Sequence, residues 1–69
     1  MMTKHEYEFM TGRWQGPKGA AYNQVYEFCK AFGWFMGLSD HGEPIPTAKG
    51  TEAIRAYQAN ENYMRIDVI

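Results

Sequence analysis

The sequence predicts an α+β domain spanning residues 1–69: two N-terminal helices, a β-hairpin, a third helix and a C-terminal strand completing a small antiparallel three-stranded sheet. Three observations lead there. Helical apolar spacing recurs near residues 3–14, 20–32 and 48–60. Two short apolar runs flank the turn-forming SDHGE. The last residues, NYMRIDVI, alternate apolar and polar with a period of two.

Each element has its own local signal. Thr3 and Glu6 have capping-box spacing, in which the threonine oxygen caps an early N–H and the glutamate reaches back to the cap residue. Met2 is placed to staple onto Tyr7. Tyr7, Met10 and Trp14 follow at i, i+3 and i+7, and Gly12 marks where the helix frays or stops. GRWQGPKG, residues 12–19, is a connector, because three glycines and Pro17 break regular structure. In AAYNQVYEFCKAF, residues 20–32, Ala21, Val25, Phe28 and Phe32 form an apolar stripe with Tyr22 and Cys29 beside it, while Asn23, Gln24, Glu27 and Lys30 face away. Gly33 is set to end this helix in a left-handed conformation.

WFMGLSDHGEPIPT, residues 34–47, reads as a hairpin with a positive-φ position at Gly42. Pro44 and Pro46, two apart, place both missing N–H donors on the edge away from the partner strand. Thr47 caps the third helix, roughly residues 48–60, with Ile54, Tyr57, Ala53 and Gly50 on its inner face. Gly50 costs about 1 kcal/mol of helix propensity relative to alanine, which points to close packing there. In the final strand Met64, Ile66 and Val68 alternate with Tyr63, Arg65 and Asp67.

Composition bounds the function. Sixty-nine residues give one domain near the lower size limit for an unaided apolar core, and 45% hydrophobic with 16% aromatic residues supplies that core. Such an aromatic load exceeds what a small interior encloses, so some rings are expected at the surface. Seven basic and eight acidic residues leave a net charge of −1, neither a basic footprint for nucleic acid nor a polyanion. The single cysteine, Cys29, excludes an internal disulfide. The polar start MMTKHEYEF and the lack of a long apolar run lead to the expectation of a soluble cytoplasmic protein without membrane contact.

GLSDHGEPIPTAKGTEAIRAY resembles the wing and following helix of winged-helix transcriptional regulators. Gly37-Leu38, the turn at Asp40 to Gly42, and Thr47-Ala48-Lys49-Gly50 carry the resemblance. It implies a DNA-binding regulator, monomeric or dimeric, with residues 20–32 in the recognition position and Asn23, Gln24 and Lys30 reading bases. Three features depart from that pattern. Glu27 sits among those residues, the wing SDHGEP carries two acids where phosphate-binding wings present Arg or Lys, and GRWQGPKG is too short and broken for the preceding helix. DNA binding is therefore the alternative reading.

No catalytic constellation emerges. Ser39, Asp40 and His41 are adjacent in a turn and point in different directions, so they form no relay. His5, His41 and Cys29 lack zinc spacing. Gly12 and Gly16 are too close for a Walker loop, and Pro17 removes an N–H. Cys29 lies on the apolar side of its helix as a small core residue. The expectation is a non-enzyme without metal or cofactor.

What remains is action by contact. Trp14, Trp34 and the tyrosines are either core or interface rings; Tyr26 and Tyr63, with Arg65 and Trp14, are the expected partner-binding residues. Asp40, Glu43 and Glu52 are acidic candidates for covering a basic, nucleic-acid-binding surface on another protein. In size and format the chain is similar to the small inhibitors of phages and mobile elements, such as anti-CRISPR proteins. The expected function is a small protein-binding module, an inhibitor or accessory factor that occludes a partner's surface.

Overall fold

The structure, a computed structural model, describes the backbone of residues 2–68 and the side chains of residues 2–60. Its elements are α1 (Lys4–Met10), α2 (Ala20–Ala31), β1 (Phe35–Leu38), β2 (Pro44–Pro46) and α3 (Ala48–Val68). The two strands form one antiparallel sheet. The α+β class and the helix–helix–hairpin–helix order agree with the sequence. The third strand does not appear: residues 62–68 continue α3. After Gly50 the chain has neither glycine nor proline to stop a helix. Extending an existing helix costs no new nucleation, so a short period-two pattern does not override it.

Helix α1 begins with the reciprocal capping box. Thr3 N–H donates to Glu6 Oε1 at 2.8 Å and Glu6 N–H donates to Thr3 Oγ1 at 3.3 Å. Helices α1 and α2 end identically. Gly12 N–H donates to the Phe9 carbonyl and Arg13 N–H to that of Glu8; Gly33 N–H donates to Lys30 and Trp34 N–H to Cys29. These are Schellman pairs, and Gly12 and Gly33 sit at φ +73° and +74° as the motif requires. The second turn drives Trp34 and Phe35 straight back into the core.

The hairpin register pairs Phe35 with Pro46 and Leu38 with Pro44, so Met36 and Gly37 stand against Ile45 alone, a β-bulge. Thr47 N–H donates to Trp34 O and Glu43 O accepts from Ser39 N–H. Alternation from these two bonds turns the nitrogens of Pro44 and Pro46 to the outer edge, as the sequence implied.

The core joins Met2, Tyr7, Phe9, Met10, Cys29, Trp34 and Phe35, with Tyr22, Val25, Tyr26, Ala53, Ile54 and Tyr57 packed around it. Phe9 is its centre. Its ring meets Tyr22, Tyr26 and Phe35 edge-on at 5.5, 5.9 and 5.4 Å. Helix α3 is tied to α1 by the Tyr7–Tyr57 stack at 4.3 Å and by Gln58 Nε2 donating to Tyr7 Oη at 3.1 Å. Cys29 is fully enclosed. Burial, with the Glu6 charge adding to it, pushes the Cys29 thiol up to about 12. The unfolded thiol ionises first, so this contribution to stability is complete below pH 9 and is lost as pH rises toward 12.

The stripe expected on α2 is rotated. Tyr22, Val25, Tyr26 and Cys29 face the core, whereas Ala21, Phe28 and Phe32 are exposed. Both stripes have helical spacing and share Val25. The Schellman turn decides between them, because burying Trp34 and Phe35 fixes the rotation of the helix that precedes them.

Two outcomes test this packing. A Cβ at Gly50 would collide with the Trp34 carbonyl, so Gly50→Ala should destabilise by about 1–3 kcal/mol in spite of its better helix propensity. At Gly37 an added Cβ meets nothing within 4 Å, and Gly37→Ala should leave the melting temperature nearly unchanged. Equal melting temperatures for both variants would disprove the close approach. Second, Cys29 should resist Ellman's reagent at pH 8 in the native protein and react fully in denaturant; rapid native labelling would show that the thiol is accessible.

Candidate functional site

Two surface features carry chemistry. The first is the outward face of α2. Phe28 and Phe32, four residues apart, are 47% and 45% exposed, and their rings stack at a centroid distance of 6.5 Å. Phe32 leans on Trp34 at 4.7 Å, so the exposed pair is anchored on a buried indole. Asn23, Gln24, Glu27 and Lys30 are exposed on the same helix. On the hairpin, Met36 is 70% exposed, with Leu38 and Ile45 also open to solvent.

The second is a cleft of about 190 Å³ where the connector after α1, the start of α2 and the hairpin tip meet. Phe9, Trp14, Lys18, Tyr22, His41 and Glu43 line it. Trp14 stands edge-on to Tyr22 at 5.6 Å, and its Nε1 donates to the Pro17 carbonyl at 3.4 Å. The Lys18 ammonium lies 5.6 Å from the centre of the Tyr22 ring. The hairpin tip supplies His41, Gly42 and Glu43 to the lining. Ser39 Oγ accepts from the N–H groups of His41 and Glu43 at 3.3 Å each. This holds Ser39 as a turn residue. Among the described residues, no three His, Cys, Asp or Glu side chains come together to hold a metal.

The expected site residues are dispersed. Trp14 and Glu43 share the cleft, joined by Tyr22 and His41, which the sequence offered for other roles. Tyr26 is half-buried, edge-on to Phe9 and Phe35, with the Lys30 ammonium 6.0 Å from its ring. Asp40 is exposed at the hairpin tip. Glu52 is exposed on α3 beside a separate groove that includes Lys49, Trp34 and Ala53. The side chains of Tyr63 and Arg65 lie outside the described residues. Reading Phe28 and Phe32 as core hid the exposed pair; its signal was a second stripe of equal spacing, Tyr22-Val25-Tyr26-Cys29, that leaves both phenylalanines outside.

No protein family, curated protein or solved structure matches the chain. Among the described residues, no helix is long and apolar enough to cross a membrane.

Because Tyr26 packs edge-on against both Phe9 and Phe35, Tyr26→Ala should cost on the order of 2–4 kcal/mol in a denaturant titration, toward the range of buried aromatic truncations. Phe28→Ala should cost much less. The reverse order would return Tyr26 to the surface and Phe28 to the core.

Proposed function

We propose that the protein is a small protein-binding module, an inhibitor or accessory factor that works by covering part of a partner's surface. One observation carries this reading: a stacked phenylalanine pair, nearly half exposed, set on the buried Trp34. Leaving two large rings in water forfeits roughly 1.5–3 kcal/mol of burial for each fully covered one. Rigid aromatic side chains on a well-packed base are the usual anchors of interfaces. Asp40, Glu43 and Glu52 are all exposed. They favour a partner whose covered surface is basic, as in a nucleic-acid-binding complex, and this suits an inhibitor of the phage type.

A second reading, a winged-helix-like DNA-binding regulator, draws on the exposure of Asn23, Gln24 and Lys30 on the helix before the hairpin. Phe28 and Glu27 are exposed on that helix too, and neither suits a phosphate-lined groove.

Two measurements separate the readings. Wild type and a Phe28→Glu/Phe32→Glu variant, matched in melting temperature, are used as affinity baits. The variant should lose a partner that the wild type retains. Identical retention would remove the aromatic face from the reading. In parallel, anisotropy with mixed-sequence duplex DNA should report no binding at low salt. Binding that falls steeply with salt, and is lost in Lys30→Glu and Asn23→Ala, would replace the protein-binding reading with the DNA one.

A further inference from the structure

The geometry points to the cleft between the connector and the hairpin tip as a receptor for an arginine side chain of the partner protein; this rests on the protein-binding reading and names the chemistry the partner must present. At about 190 Å³ the cleft is smaller than the roughly 300–1,000 Å³ of small-molecule sites, and suits a single side chain. Three rings, Phe9, Trp14 and Tyr22, share its lining with Lys18, His41 and Glu43. Tyr22 is shared by two edge-on contacts, with Trp14 at 5.6 Å and Phe9 at 5.5 Å, so the rings stand at fixed angles to one another.

Two groups in the lining attract a cation, the Tyr22 ring and the Glu43 carboxylate. The Lys18 ammonium already lies 5.6 Å from the Tyr22 ring centre, an internal occupant of the position a partner's cation would take. Lys18 is itself exposed, in the Gly16-Pro17-Lys18-Gly19 stretch of the connector, and is displaced without disturbing the core. Glu43, which also lines the cleft, has no ion-pair partner among the described residues. Its position is nonetheless built in. The Glu43 main chain is tied to Ser39 through both its N–H and its carbonyl. The side chain lies against Gly12, where an added Cβ would come within 2.8 Å of Oε1. Gly12 therefore serves twice: it ends α1 at positive φ, and it leaves room for this carboxylate.

Arginine fits this combination better than lysine. A planar guanidinium stacks on an aromatic face while its N–H fork meets a carboxylate with two parallel bonds, which a point-charge ammonium cannot do. His41, also on the cleft wall, and Lys18 are the groups that oppose a cation. Lys18 is the direct competitor for the Tyr22 face.

The test is a ¹H–¹⁵N titration of the full chain with N-acetyl-arginine methylamide, and separately with N-acetyl-lysine methylamide and inorganic phosphate. Arginine should shift the Trp14 indole N–H and the amides of Tyr22, Gly42 and Glu43. The lysine compound should bind several-fold more weakly. Glu43→Gln should weaken arginine binding at least tenfold, whereas Lys18→Ala should tighten it, a gain that simple structural damage does not produce. Equal shifts with phosphate and none with arginine would assign the cleft to anions through Lys18 and His41 and overturn the proposal. Arginine shifts unchanged by Glu43→Gln would also overturn it. Either failure can coexist with loss of partner retention in the Phe28→Glu/Phe32→Glu variant, so the two readings fail separately.

Discussion

The backbone junction between Trp34 and Thr47 is the constraint on which the rest of the fold depends. Thr47 donates its N–H to the Trp34 carbonyl at 2.9 Å and its hydroxyl to the Gly33 carbonyl at 2.6 Å. The same hydroxyl oxygen accepts the Gly50 N–H at 3.1 Å, and the Thr47 carbonyl accepts from Thr51. One residue thus closes the hairpin, caps α3 and ties α3 to the end of α2. The absence of a side chain at Gly50 lets α3 seat directly on the Trp34 backbone. In a domain of this size, where few apolar contacts are available, such a junction sets the relative placement of three elements with a handful of hydrogen bonds.

From that junction the aromatic core follows. With Trp34 and Phe35 directed inward by the turn at Gly33, the ring of Phe35 reaches Phe9 and Tyr26, and Phe9 also meets Tyr22 and Tyr26 edge-on. Tyr22, Tyr26 and Tyr57 are half-buried at the rim, where an apolar ring packs and a hydroxyl stays near water. This arrangement rotates Phe28 and Phe32 outward and brings Trp14 and Tyr22 to the mouth of a cleft. The exposed phenylalanine pair and the cleft are both consequences of how the core is filled.

Much of the fold was legible in the chain. The capping box at Thr3, the helix stop at Gly12, the left-handed Gly33, the proline-marked outer edge of β2 and the Thr47 cap are all local devices acting over three to five residues. The close approach implied by a glycine inside α3 was legible too, although its partner, the Trp34 carbonyl, was not. Less of the site could be read. Trp14 and Glu43 were singled out for separate reasons, one as a ring and one as a charge, and nothing in their spacing of twenty-nine positions announces that they line one cleft.

The sequence by itself determined the helix starts at Thr3 and Thr47 and the helix stops at Gly12 and Gly33, because hydrogen bonds between near neighbours decide those points whatever the rest of the chain does. Only the tertiary structure decided which stripe of α2 is buried, that the chain continues as helix beyond residue 60, and which side chains meet across the cleft. The reason is physical. An amphipathic helix with two apolar stripes has two nearly equivalent rotations, and the choice between them depends on the packing energy of residues distant in sequence. An alternating segment likewise becomes a strand only where a sheet edge accepts it, and here the outer edge of β2 carries two prolines without a donor between them and solvent.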